Sequence, residues 1–154
     1  MKSFCTLVFV TCLLALPTTV SAAQGKKHFP GIFIGNTHFD GEDNFTLGLE
    51  YEYRFTPKWG LELIYERIND AHHGDGATVV VAQAMYHPVA QLRMGFGLGQ
   101  ERLGGAYQKN KQLYRATIAY DFLVGDIEIA PTISLDHIDG ENAVVAGIAF
   151  IYPL

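Results

Sequence analysis

From Asn44 to Thr56 every second residue is bulky and apolar or aromatic, and no other stretch of the chain constrains its fold as tightly. Phe45, Leu47, Leu49, Tyr51, Tyr53 and Phe55 share one face, while Asn44, Thr46, Gly48, Glu50, Glu52, Arg54 and Thr56 share the other. A two-residue period belongs to a β-strand whose two faces meet different surroundings. Small soluble barrels turn their charges to water and fill the middle with apolar side chains. Here the bulk lies on the apolar face, and the opposite face mixes charge with glycine. The pattern predicts a strand with lipid outside and a polar lumen inside.

The start of the chain points to export. Met1-Lys2-Ser3 place a positive charge before the apolar run Phe4 to Pro17, and small residues follow in Val20-Ser21-Ala22-Ala23. That order predicts a signal peptide over residues 1–22, cleaved after Ala22 or Ala23. The run is short for a retained membrane anchor. A lipidated Cys12 is disfavoured because Thr11, rather than Ala or Gly, precedes it. The remaining domain, residues 23–154, has about 130 residues and suits one domain. Cys5 and Cys12 both lie in the predicted leader, so neither a disulfide nor a thiolate metal site is expected after cleavage. A formal net charge of −5 offers no basic stripe for nucleic acid. Beyond Ala23 no apolar run reaches the roughly 18 residues of a spanning helix. A closed barrel is the other way to satisfy every backbone group in lipid.

Turn residues divide the chain after the leader into eight segments, 28–39, 43–56, 58–69, 77–87, 89–102, 111–123, 126–138 and 142–153. Thr56-Pro57-Lys58, His87-Pro88-Val89 and Val124-Gly125-Asp126 read as tight turns. Asp40-Gly41-Glu42-Asp43, Asn69 to Gly76, Leu103 to Asn110 and Asp139-Gly140-Glu141-Asn142 read as mostly longer, polar loops. Short turns at one end and longer loops at the other match periplasmic and extracellular ends. The alternation recurs in the third segment, where Trp59, Leu61, Leu63 and Tyr65 oppose Glu62 and Glu66. It recurs in the fifth, where Leu92, Met94, Phe96 and Leu98 oppose Arg93, Gly95, Gly97 and Gly99. The sixth sets Tyr114, Ala116, Ile118, Tyr120 and Phe122 against Arg115, Thr117, Ala119 and Asp121; the seventh sets Ile127, Ile129, Ile133 and Leu135 against Glu128, Ala130, Thr132, Ser134 and Asp136. Segments one and four are ambiguous, and only Gln83 suggests that Val79, Val81 and Met85 point inward.

Aromatic positions supply an independent reading. Phe29, Tyr53, Phe55, Trp59, Tyr86, Tyr120, Phe122, Phe150 and Tyr152 all fall beside tight turns or chain ends, and so gather at one rim. Phe45, Tyr65 and Tyr114 lie towards the other. Two such belts are what amphipathic rings favour at membrane interfaces. Volume decides which face is inside, because an eight-stranded interior holds little more than its own inward side chains. The face carrying Gly48, Gly95, Gly97, Gly99 and Ala119 fits that space; the bulky face does not. The predicted fold is an all-β, eight-stranded antiparallel up-and-down transmembrane β-barrel.

With this pattern the chain resembles the small OmpA/OmpX-like outer-membrane barrels over the whole segment after the leader. The last strand adds Gly147-Ile148-Ala149-Phe150-Ile151-Tyr152, similar to the assembly signal of such proteins, with Val145 and the ending Pro153-Leu154 as departures. The resemblance implies residence in the outer-membrane lipid as a monomer, and recognition of the last strand by the barrel-assembly machinery. It also implies a lumen salt-bridge network with small water pockets and no open pore. The inward acids are Glu50, Glu52, Glu62, Glu66, Asp121, Glu128 and Asp136, and the inward bases Arg54, Arg93 and Arg115. Isolated buried charges cost several kcal/mol, so the arginines are expected to bridge several carboxylates.

Some barrels of this type modify lipid A with a Ser-His-acid set on the lipid-facing wall. Ser134 and His137 are three residues apart, which puts them on opposite faces of one strand and disfavours a nucleophile–base pair. His38, His72, His73 and His137 lie near the long-loop rim with Asp40, Asp43, Asp70, Asp75, Asp139 and Glu141, but without ligand spacing specific for a metal. Asn44-Phe45-Thr46 fits a glycosylation sequon, yet it opens a membrane strand. No catalysis, metal or cofactor is expected. The expected role is structural or surface-interacting; a narrow cation-selective channel and a soluble lipocalin-like binder are the alternatives.

Overall fold

The computed structural model describes residues 25–69, 76–104 and 109–154. The predicted leader, His72, His73, Asp70 and Asp75 lie outside these residues. The strands are β1 (His28–Phe39), β2 (Glu42–Thr56), β3 (Trp59–Ile68), β4 (Ala77–Val89), β5 (Leu92–Leu103), β6 (Asn110–Tyr120), β7 (Phe122–Val124), β8 (Ile127–Ile138) and β9 (Glu141–Ile151). Consecutive strands pair antiparallel except β6 with β7, β1 also pairs with β9, and β8 pairs with both β6 and β7. The sheet therefore closes on itself with eight staves, β6 and β7 forming one stave interrupted at Asp121. Closure removes the unpaired edges that a membrane would not tolerate.

Pro131 accounts for the interruption. Pairing of β8 with β9 continues through Pro131 and Ile148. On its other side, β8 pairs with β6 as far as Ala119 and Thr132, then resumes with β7 at Phe122 and Ile129. Proline has no N–H to give to the ladder, so the partner strand breaks opposite it.

Three turn assignments differ from the expectation of the alternation. His87-Pro88-Val89 is not the reversal: β4 runs to Val89, with a register shift between Tyr86 and Val89, and the chain turns at Ala90-Gln91. Pro88 sits in that irregular step, where a missing donor is tolerated. At the opposite end, Asp40-Gly41 and Asp139-Gly140 are two-residue turns rather than longer loops. Their φ values are 49° and 80°, and 52° and 91°, the paired positive values of a primed hairpin turn that Asp-Gly favours. Glu42 and Glu141 accordingly begin strands. The longer connections at this end are residues 69–76 and 104–109.

The bulky faces point out. Leu49 is 59% exposed, Leu63 53% and Phe96 62%, in a protein whose glutamates at 52, 62 and 66 are buried. In the two ambiguous strands, Phe29, Phe33 and Thr37 of β1 and Val79, Val81, Gln83 and Met85 of β4 point inward. The interior is not polar throughout, as the alternation alone suggested. At the loop end Ile68, Val79, Leu113 and Ile138 pack together with Phe39 and Leu103 into an apolar stopper. A second apolar patch, Phe29, Phe33, Val145 and Ile151, lines the β1–β9 wall. At the loop end these inward apolar side chains close the barrel rather than face water.

Candidate functional site

The ten charged residues assigned to the interior all reach it. They form two linked groups. Towards the loop end, Arg115 on β6 donates from Nε and Nη2 to both Asp136 oxygens, at 2.6 and 2.7 Å. Its Nη1 and Nη2 also reach Glu66 on β3 at 2.9 and 2.7 Å. Bidentate pairs on both sides use the planar fork that distinguishes Arg from Lys.

Towards the tight-turn end, Arg93 on β5 donates to Asp121 at 2.8 Å and to Glu62 at 3.3 Å, and lies 3.9 Å from Glu50. Arg54 on β2 donates to Glu52 at 3.0 Å, with Asp121 and Glu128 each 3.8 Å away. The guanidinium of Arg54 also stacks 3.7 Å over the Phe29 ring. Phe29 therefore does not belong to the outer aromatic belt. It turns inward because an arginine face at the lumen mouth gives it a cation–π partner.

Several polar residues complete the network beyond those assigned from sequence. His87, displaced from its supposed turn, meets Glu52 with Nε2 at 2.7 Å. Gln83 donates to Glu62, and Thr117 donates to Gln83 at 3.1 Å while sharing a hydrogen bond with Ser134 at 2.9 Å. Glu101 is also buried in the wall of β5. The inward set 79, 81, 83, 85 of β4 extends by the same period to His87, which is the pattern that places it.

Glycines make room for the long polar side chains beside them. Gly31 pairs with Glu50, Gly48 with Glu66 and Gly97 with Gln83. A Cβ at Gly48 would come within 3.0 Å of Glu66 Cγ, and one at Gly31 within 2.9 Å of Glu50 Cγ. Among the described residues, Glu50 Oε1, Arg54 Nη2, His87 Nδ1, Asp121 Oδ2 and Glu128 Oε2 are buried without a protein hydrogen bond. All five lie in the tight-turn half. Buried polar atoms without a protein partner are the kind that ordered water satisfies, and these five gather away from the apolar cluster of the loop end.

The outer belt lies at the tight-turn end. Tyr53, Phe55, Trp59, Tyr120, Phe150 and Tyr152 are exposed. Tyr86 and Phe122 are half-buried against Trp59 and Tyr120, with ring centroids 4.7 and 4.8 Å apart. His28 extends this belt through a 2.6 Å hydrogen bond with the Tyr51 hydroxyl. Phe45, Tyr65 and Tyr114 are exposed nearer the other rim.

Ser134 points into the lumen and His137 points out, bonded to Asn142 at 2.9 Å. They form no nucleophile–base pair. His38 meets Asp43 at 2.9 Å on the exposed surface, and among the described residues no three His, Cys, Asp or Glu side chains converge as metal ligands.

No protein-family model matches the chain, and no curated protein matches it in sequence. Solved structures do match in shape. The crystal structure of Neisserial surface protein A (NspA) superposes with a TM-score of 0.64 at 8% identity, over 84% of this chain and 97% of that one. The Yersinia pestis outer membrane protein Ail in a phospholipid bilayer nanodisc gives 0.57 at 13% identity, over 84% and 100%. The outer membrane enzyme PagL gives 0.53 at 11% identity, over 82% and 99%. At these identities the likeness establishes the fold, an eight-stranded transmembrane barrel. Since the fold also occurs in an enzyme, catalysis has to be judged from side chains.

Proposed function

We propose that this protein is an integral outer-membrane barrel without catalytic activity, serving the envelope structurally or as a surface-interacting protein. The carrying observation is the filled interior. Ionised side chains are tied across the lumen, glycines fit around them, and Phe39, Ile68, Leu103, Leu113 and Ile138 close the loop end. The outward wall, bare of charge over its middle and belted with aromatics, favours lipid on all sides. Ser134 and His137 on opposite faces support a non-catalytic reading. In this proposal the leader directs export, the last strand is read by the barrel-assembly machinery, and the barrel stands as a monomer.

A narrow ion path is the second reading, favoured by the unpaired polar atoms in the tight-turn half. The apolar stopper would have to move for ions to pass. Two measurements test the proposal. Fractionated cells should carry the protein in outer membranes, as a band that shifts on gels when boiled; recovery in the soluble fraction would defeat it. In planar bilayers the barrel should be silent, and steady ion-selective steps would establish the channel instead.

A further inference from the structure

The outward wall changes character near the loop end of β3 to β6. Arg67, Thr78, Arg102 and Asn110 stand in one cross-strand row, each opposite the next. Arg67 donates to Thr78 at 3.1 Å, and Arg102 to Asn110 at 3.3 Å. Both arginines are exposed, and among the described residues neither has a carboxylate within ion-pairing distance. Nearer mid-membrane the adjacent row is Tyr65, Val80, Gln100 and Gln112, and the next is the apolar Leu63, Ala82, Leu98 and Tyr114. The arginines thus sit two steps above the apolar band, where the wall leaves hydrocarbon.

The rest of that rim is acidic. Asp40, Glu42, Asp43, Asp139 and Glu141 crown the β1–β2 and β8–β9 hairpins. Lys109 and Lys111 are drawn to this side by Asp139 at 3.1 Å and Glu141 at 3.9 Å. Among the described cations of this rim, Arg67 and Arg102 are the two bonded to neutral partners, and both stand on the β3–β6 wall.

We propose that this row binds the phosphate of an anionic lipid in the leaflet at the loop end. The proposal rests on the membrane reading above. Arg67 and Arg102 are two strand spacings apart, about 10 Å. Strands tilted about 40° make the row oblique, so the two guanidinia differ in depth by roughly 6 Å. That difference matches the thickness of one headgroup layer, about 5–8 Å. A guanidinium held by a neutral acceptor keeps free donors for a phosphate oxygen, which Arg can bind bidentately. Thr78 and Asn110 orient the two forks, and Gln100 and Gln112 add donors beneath.

The test uses the protein refolded into phosphatidylcholine vesicles containing a minor fraction of phosphatidic acid, then extracted for native mass spectrometry. Phosphatidic acid should be retained in preference to phosphatidylcholine, and R67Q/R102Q should lower that preference roughly fivefold per arginine. R67K/R102K should keep part of it, and D43N, in the acidic sector, should leave it unchanged. Equal retention by the wild type and R67Q/R102Q would overturn the proposal. So would displacement of phosphatidic acid by millimolar inorganic phosphate, which would point to a free anion. A protein that fails to insert, with no heat-shifted band, would overturn the membrane reading instead.

Discussion

Arg115 and Glu66 clasp one another through two hydrogen bonds, 2.9 and 2.7 Å long, although their strands are separated by two others. The pair spans the lumen and Asp136 locks it from a third strand. Breaking one partner of a buried pair strands the other charge, which costs about 3–5 kcal/mol. Arg115→Ala should lose that much in urea unfolding from lipid, whereas the triple change Arg115→Met, Glu66→Leu, Asp136→Leu should recover most of it. A cost under about 1 kcal/mol for Arg115→Ala would mean the clasp carries little.

Glycine on the inner face is a space requirement. A Cβ at Gly97 would press on Gln83 Cβ and on the Ala82 carbonyl, which is backbone and cannot swing away. Gly97→Ala should therefore destabilise by about 1–3 kcal/mol. Gly125 has open space but a φ of 65°, so Gly125→Ala should cost about 1 kcal/mol by backbone strain alone. Paired unfolding curves of the two variants separate crowding from strain.

The apolar stopper predicts how conductance could be created. Leu113 and Ile138 pack side by side at the loop end of the lumen, one from β6 and one from β8. Leu113→Ser with Ile138→Ser should admit water and raise single-barrel conductance above a silent wild type. A conducting wild type, unchanged by the double substitution, would place the path elsewhere.

Trp59 is the only tryptophan, so its fluorescence reports one site. It lies exposed in the tight-turn belt against Tyr86. Quenching should be strongest with lipids brominated just beneath the headgroups and weak with lipids brominated at the chain ends. The opposite order would remove Trp59 from the interface.

Much of this was legible in the sequence because a two-residue period assigns each side chain to a face once the apolar face is recognised. Glu50, Glu62, Arg93 and Arg115 follow directly from that rule. β4 resisted because Val80 and Val81 give both faces an apolar character, and the apolar stopper was hidden for the same reason. A binary pattern does not tell a valine that meets lipid from one that caps a lumen. Phe29 misled because position near a rim, not facing, put it in the belt, and only Arg54 beneath it explains its inward turn. His87 was lost to Pro88, whose usual meaning as a turn residue yields here to an irregular strand end. Which carboxylate meets which arginine depends on closure, since Glu66 and Arg115 are brought together by the curvature of the wall rather than by local spacing.

The inverted barrel, oily outside and ionised within, is tested most directly by where a probe meets oxygen and where it meets water. Leu49 and Phe96 replaced singly by cysteine, in a chain with Cys5 and Cys12 removed, would carry a nitroxide on the outer wall of β2 and β5. In bilayers both labels should collide freely with dissolved oxygen and be shielded from a water-soluble nickel chelate. Labels at these two positions that meet the chelate and not oxygen would contradict the account.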